Sequence, residues 1–292
     1  MQTIKERMSA IATVQKYIQE AWKTTDVNRF PGPQPVSIER RHFPLLRQQA
    51  YVVCEKTDGV RYFLVCPPGS KEVFLVNRNF DVRALSFAGF PKDTLLDGEL
   101  VTTKDGRELF VIHDAVRCKG VDLTRENLAT RLGYSIAAVK AVIKSKKDPF
   151  ELRVKTMIPL SEMQKLPALD SFEYETDGVV FTPINEPIRS GTHETMFKWK
   201  PFERITVDFM IQRGTELWVQ ERGYPYLEAQ LHLSNQRPDI ADGSIVECGY
   251  GPNGWFVEKV RTDKSYANNR RTYYNSCTNL RENIGLNEFL TV

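Results

Sequence analysis

"YVVCEKTDGVRYFLV", residues 51–65, decides how this chain is read. Two apolar runs flank a Glu-Lys-Thr-Asp-Gly cluster, which predicts a strand ending near Lys56, a turn at Asp58 and Gly59, and a second strand. A lysine delivered to a strand end can act as a nucleophile only when neutral. From its ordinary pKa of about 10.4, shedding the proton at pH 7 costs roughly 4 to 5 kcal/mol. Burial behind "YVVC" and neighbouring cations lower that cost. Arg61 follows closely, and Lys198 and Lys200 stand in "FKWK", residues 197–200. Two apart on an expected strand, these lysines share one face, which suits a phosphate.

Outward from Lys56, "EVFLVN", "TLLDGELV" and "LFVIHDAV" continue a series of short strands separated by Pro-Gly, Asn or Asp-Gly turns. "TRENLATRLGYSIAAVKAVIKSKK" changes period. Leu128, Leu132, Ile136, Val139 and Ile143 recur at three- and four-residue steps, an amphipathic helix whose Lys140, Lys144, Lys146 and Lys147 form a solvated face. Upstream, Ile4, Met8, Ile11, Ile18 and Trp22 mark a packing helix, followed by the stiff connector "FPGPQP" (30–35). "DGVVFTP" and "TMFKWKP" are further strands. Beyond Pro201, "ITVDFMI", "ELWVQE", "LEAQLHL", "SIVECGY" and "WFVEKV" are five strand candidates that suit a small OB-type barrel. The tail from about Tyr266 reads as helix. The expected class is α+β, with antiparallel sheets, flanking helices and a C-terminal β-barrel.

The composition is that of an ordinary globular chain: 41% hydrophobic and 26% charged residues, with a net charge of +3. That mild basicity permits a local nucleic-acid groove without demanding one. Five scattered cysteines with no Cys-x-x-Cys pair argue against zinc or a disulfide framework and for a reducing compartment. No apolar stretch approaches the roughly 18 residues of a membrane span. The N-terminus lacks a secretory apolar core, and Glu6 and Glu20 oppose a transit peptide.

Carboxylates complete the candidate chemistry. Asp97 and Glu99 in "LLDGELV", and Asp177 in "TDGVVF", stand at turn–strand junctions from which a side chain can reach a cleft. Acidic residues beside a triphosphate hold a divalent ion, and Mg²⁺ takes only one or two of them. Each Asp-Gly taken singly is a plain turn. Their order is what carries weight.

The ordered set "KTDGVR", "DGEL", "FVIHDAV", "DGVVF", "FKWKP" and "RTDK" resembles the covalent nucleotidyltransferase superfamily, and within it the messenger-RNA capping guanylyltransferases. Through "FPGPQPVSIERRHF" and "GSIVECGYG" it is most similar to compact enzymes of large algal DNA viruses. The resemblance implies a nucleotidyltransferase domain over residues 1–202 and an OB-fold domain over 203–292, whose terminal helix packs back on the first. It also implies that Lys56 attacks the α-phosphate of GTP, holds GMP as a phosphoramidate and passes it to a 5′-diphosphate RNA end. Lys198 and Lys200 match phosphate-contacting residues, and Glu99 and Arg61 match residues that hold the ribose and order the site. Asp177 matches the acidic residue near the α-phosphate, so Glu99 and Asp177 are the expected ligands of Mg²⁺ or Mn²⁺. Thr57, Asp58 and Gly59 complete the lysine motif, Arg78 reaches the ribose, and Lys155 reads the guanine base. Arg261, Asp263 and Lys264 match residues that swing onto the β- and γ-phosphates, and Asp208 matches a junction aspartate.

Two positions depart from that pattern. His113 stands where relatives carry a stacking Phe or Tyr. Imidazole can stack but can acquire charge near pH 6.5, and Phe110 is the nearby alternative. Asn77 replaces an aspartate that precedes Arg78 in relatives. The competing readings are an ATP-dependent polynucleotide ligase, disfavoured by "RTDK" and "KTDGVR", and a non-catalytic RNA-binding relative, disfavoured because the nucleophile and carboxylates are present. The implied setting is a monomer in the nucleus or cytoplasm, cellular or virus-encoded, with the RNA triphosphatase and cap methyltransferase on separate chains and no membrane partner.

Overall fold

The β-branched and aromatic runs around Lys56 form strands in the computed structural model, which describes residues 4–26 and 29–292. In chain order come α1 (Ile4–Trp22), β1 (Gln34–Ser37), α2 (Phe43–Gln48), β2 (Tyr51–Thr57), β3 (Val60–Cys66), β4 (Val73–Asn77) and β5 (Val82–Leu85). Next are β6 (Thr94–Thr102), β7 (Glu108–Cys118), β8 (Val121–Asp122), α3 (Leu128–Ala141), β9 (Glu151–Val154) and β10 (Ile158–Pro159). Then follow β11 (Thr176–Pro183), β12 (Thr192–Trp199), β13 (Val207–Gln212) and β14 (Glu216–Glu221). The chain closes with β15 (Tyr224–Gln230), β16 (Ile245–Gly251), β17 (Gly254–Val260) and α4 (Arg270–Glu282).

Contacts divide the chain into two units, Met1–Val36 with Leu45–Lys198, and Ser37–Pro44 with Trp199–Val292. The first unit holds a sheet of order β1-β12-β11-β2-β10 and a seven-stranded sheet, β5-β4-β3-β6-β7-β8, with β9 beside β7. β2 and β3 belong to different sheets, so the chain crosses from one to the other at Asp58 and Gly59. Glycine is required there by close approach: a Cβ on Gly59 would lie 2.7 Å from the Leu100 carbonyl oxygen. The α+β reading therefore holds, and "KTDG" sits at the crossover.

The seven-stranded sheet is apolar on both faces, because alternate residues of β3 serve different cores. Leu64 and Cys66 join the cluster containing Leu96, Phe110 and Ala138 of α3. Phe63 and Val65 join Val14, Ile18 and Trp22 of α1. The N-terminal helix packs as expected through Ile18 and Trp22, although Met8 is exposed; the side chain of Ile4 lies outside the described ones. For α3 the expected face holds only in part: Leu128 is buried and Val139 packs on the core. Ile136 is exposed, Ile143 lies beyond the end of the helix and is exposed, and the buried positions are Leu128, Arg131, Ser135 and Ala138. A charge causes the difference. Arg131 donates through Nε and Nη2 to the two carboxylate oxygens of Asp114, and through Nη1 to the Glu126 and Glu186 carbonyls. Each guanidinium nitrogen has an acceptor, so arginine can occupy a core position.

In the second unit, the five expected strands form a sheet of order β15-β14-β13-β16-β17. Its pairings among the described residues run as an open path, consistent with the expected OB-type arrangement. Phe209, Leu217, Val246 and Trp255 build the core together with Tyr273 and Leu280 of α4. The helical tail is thus shorter than expected and packs on this sheet. Within the same unit, Asn279 donates to the Ile38 carbonyl and Arg40 pairs with Glu288.

Candidate active site

β2 carries three polar residues at its end, and the strand's alternation sends them two ways. Lys56 is partly exposed, whereas Glu55 and Thr57 are buried. Lys56 Nζ donates to Asp177 Oδ1 at 2.7 Å. Asp177 lies on the neighbouring strand β11, where Gly178 pairs with Lys56 and Thr176 with Thr57, so the register shifts at Asp177. An extra residue re-aims the side chain it carries, and here that side chain meets the lysine. β12, which holds Lys198, is the next strand in this sheet. Lys200 lies one residue beyond β12 and precedes Pro201, which forces an extended exit and has no N–H to continue a ladder. The two lysines are therefore not both strand residues as expected.

Arg61 is committed to partners other than Lys56. Its Nε and Nη2 donate to Asp97 at 2.9 and 2.6 Å, and its Nη1 donates to the Pro33 carbonyl at 2.6 Å. Phe30 lies under its guanidinium at 5.5 Å, so the "FPGPQP" connector wraps this arginine. Asp97 is fully buried in that pair and is not a cleft carboxylate. Glu99 sits opposite Arg61 in the β3–β6 register, and its buried Oε2 has no hydrogen-bond partner among the described residues. An orphaned buried acceptor costs about 1 to 3 kcal/mol, so it fits a donor that arrives with a ligand, such as a sugar hydroxyl or the hydration shell of a cation. No cluster of three or more potential metal ligands occurs among the described residues. One or two carboxylates are what Mg²⁺ needs when phosphates and waters supply the rest, so Glu99 and Asp177 remain compatible with such an ion.

His113, on β7, has its Nε2 3.5 Å from Asp97 Oδ1. Burial, followed by the positive charge of Arg61, drives its pKa down to about 3. The ring is therefore neutral at physiological pH, which corrects the expectation of charging near 6.5. Phe110 is fully buried against Phe150 and offers no stacking face. Arg61, Glu99, Lys155 and Asp114 all act on His113 electrostatically, and Arg61, Glu99 and Asp97 act on Arg78. Asn77 does not orient Arg78: it donates to Asp81 and accepts from the backbone N–H groups of Asn79 and Asp81, fixing the turn after β4.

Lys155 follows β9 and is buried. Its ammonium donates to the Glu55 carbonyl and to Thr57 Oγ1, each at 3.0 Å, on either side of Lys56. Burial works against its charge, but Cys54, Glu55 and Glu99 outweigh it and its pKa is raised. The carboxylate of Glu55 accepts from the Tyr174 hydroxyl at 2.8 Å. Sequence reading passed over Glu55 and Tyr174, although a glutamate directly before Lys56 was visible. In the second unit Arg261 pairs with Asp263, Asp208 and Glu247, and Lys264 pairs with Asp208. The hydrogen bond from Arg261 holds the Asp263 carboxyl well below the usual carboxylate range. Asn268 donates to Asp208 as well, a partner that no motif pointed to.

With this geometry in view, the likeness to known proteins is specific. Residues 2–202 match the model for the mRNA capping enzyme catalytic domain, and residues 187–290 match that for the mRNA capping enzyme C-terminal domain. The chain belongs to the mRNA capping enzyme family. It is 34% identical over 266 residues to the mRNA-capping enzyme subunit alpha of Yarrowia lipolytica, covering 82% of this chain and 66% of that protein. It is 28% identical over 296 residues to the mRNA-capping enzyme of Danio rerio, covering 89% and 48% respectively. The chain thus spans between about half and two-thirds of the length of these relatives. A mycobacterial DNA ligase D structure, complexed with ATP and MES, aligns over 80% of this chain and 95% of its own at 15% identity and a TM-score of 0.47, too distant to bear on function. No helix among the described residues is long and apolar enough to cross a membrane, and all five cysteines are free.

Proposed function

We propose that the chain is a GTP:RNA guanylyltransferase, with a nucleotidyltransferase domain over residues 1–202 and an OB-type domain over 203–292. The observation that carries this reading is Lys56 at a sheet crossover, its Nζ 2.7 Å from Asp177 in a chain that matches the capping catalytic domain. In the first step Lys56 Nζ, having lost a proton, attacks the α-phosphorus of GTP. An N–P bond forms, the bond from the α-phosphorus to its bridging oxygen breaks, and pyrophosphate leaves. Asp177 Oδ1, 2.7 Å away, accepts the departing proton. In the second step a terminal oxygen of a 5′-diphosphate RNA attacks the same phosphorus, the N–P bond breaks and the amine regains its proton. Splitting the transfer in this way replaces one difficult displacement by two easier ones.

Other residues hold the reactants. Glu99 Oε2 takes a ribose hydroxyl, neutral His113 stacks on the base, Lys155 donates to O6, and Arg78, Thr57, Asp58 and Gly59 complete the GTP pocket. Lys198 and Lys200 bind phosphate oxygens, and Arg261 and Lys264, kept in place by Asp208 and Asp263, take the leaving phosphates. Glu99 and Asp177 would hold a Mg²⁺ or Mn²⁺ ion, which supplies charge neutralisation at the transferring phosphate. The triphosphatase and methyltransferase activities belong, in this reading, to other chains, and the protein acts as an intracellular monomer, in nucleus or cytoplasm, whether cellular or virus-encoded. Incubation with α-labelled GTP or ATP and a divalent cation, followed by a denaturing gel, tests it. Label retained from GTP, lost in Lys56→Ala and released by pyrophosphate is expected; label from ATP alone would indicate a ligase.

A further inference from the structure

The ammonium of Lys155 has three protons to donate, and two are committed to the Glu55 carbonyl and Thr57 Oγ1. Among the described residues, the carboxylate oxygen paired with the ammonium is Glu55 Oε1, at 3.4 Å. That is longer than a hydrogen bond between charged groups, which runs at about 2.7 to 2.9 Å. Both side chains are about 4% exposed, and a buried ion pair of this kind closes unless something restrains it. The restraint is visible. Tyr174 donates to the same Oε1 at 2.8 Å, and its ring is fixed in an apolar cluster with Val101, Leu109 and Val111. A backbone bridge from Tyr174 to Thr103 holds the residue from the other side. The phenol therefore keeps the Glu55 carboxylate from closing on Lys155, while the carboxylate still balances the buried charge.

We infer that Tyr174 and Glu55 are positioning residues for base selection: together they keep one Lys155 proton available to the O6 carbonyl of guanine. This rests on the guanylyltransferase reading. Neither residue touches the nucleotide; both act through Lys155. Without the phenol, Glu55 Oε1 would close on the ammonium and take the proton meant for the base. Without the carboxylate charge, the ammonium would lose the partner that holds it in place.

The test compares labelling by GTP with labelling by 2-aminopurine riboside triphosphate, which carries C–H in place of the C6 carbonyl and, with it, an N1 that accepts where guanine's donates. The parent protein should prefer GTP, and Lys155→Ala should lose that preference. Tyr174→Phe and Glu55→Gln should each lower the GTP preference about tenfold, the scale of one hydrogen bond to a charged group. The preference for GTP over 2′-deoxy-GTP, which reports ribose contacts, should be unchanged, whereas a merely structural defect would depress all three substrates alike. A parent protein that labels with none of these triphosphates refutes the guanylyltransferase reading itself. A parent that labels with GTP, alongside a Tyr174→Phe variant of unchanged preference, overturns the positioning role and leaves that reading intact. Should Tyr174→Phe fail to fold, Glu55→Gln, which keeps an acceptor for the phenol, decides by the same ratio.

Discussion

Lys56 and Asp177 meet at 2.7 Å because β11 carries one extra residue exactly where it passes the end of β2, a bulge that turns Asp177 toward the lysine. The contact joins the nucleophile of the proposed reaction to a carboxylate within reach of the proton that the nucleophile must shed. Asp177→Asn keeps the shape and removes the basic oxygen. Adduct formation from GTP should slow by about 10²-fold or more, on the scale of a lost general base, as measured in single-turnover labelling. An unimpaired rate would remove Asp177 from the chemistry.

Arg61 and Asp97 are a different kind of pair, 7% and 0% exposed. Removing one partner strands a buried charge, so Asp97→Ala should cost about 3 to 5 kcal/mol in urea unfolding. Asp114→Ala, which strands Arg131, should cost a similar amount. A loss below 1 kcal/mol, roughly the ceiling for surface pairs, would show that these arginines reach water.

His113 makes stability depend on pH. In the unfolded chain an imidazole titrates near 6.5, but in the folded protein it titrates at about 3. Between those values the unfolded state binds a proton that the folded state does not. Its stabilising contribution is therefore complete above about pH 6.5 and is lost as pH falls toward 3, by at most about 1.4 kcal/mol per unit. His113→Phe should flatten this part of the stability profile relative to the parent. Identical slopes between pH 6.5 and 5 would contradict the assignment.

The Asp208–Arg261–Lys264 cluster separates a structural role from a catalytic one. Arg261 and Lys264 are paired within the second unit, so Lys264→Ala should change stability by about 1 kcal/mol or less. Adduct formation should nevertheless slow by about tenfold or more if the lysine takes the leaving phosphates. A variant that unfolds readily but labels at the parental rate would make the cluster purely structural.

Much of this arrangement was legible in the sequence because it is local. The strand around Lys56, the turn at Gly59 and the ordered acidic and basic motifs are short-range patterns, and their strands formed where the alternation put them. What the sequence could not show depends on partners far along the chain. Nothing local reveals that Arg131 meets Asp114 across the core. Asp97 and Glu99 looked equivalent two residues apart, yet Arg61 fills one and leaves the other with an orphaned oxygen. Glu55 was visible beside Lys56, but its meaning depends on Lys155 and Tyr174, which arrive from β9 and from just before β11.

Digestion and mass spectrometry of the protein after incubation with GTP and Mg²⁺ tests the central claim most directly. The account predicts one GMP mass on the peptide containing Lys56, stable to base, labile to acid and removed by pyrophosphate. A GMP mass carried by a different lysine, or unmodified Lys56 in protein that has consumed GTP, would contradict it.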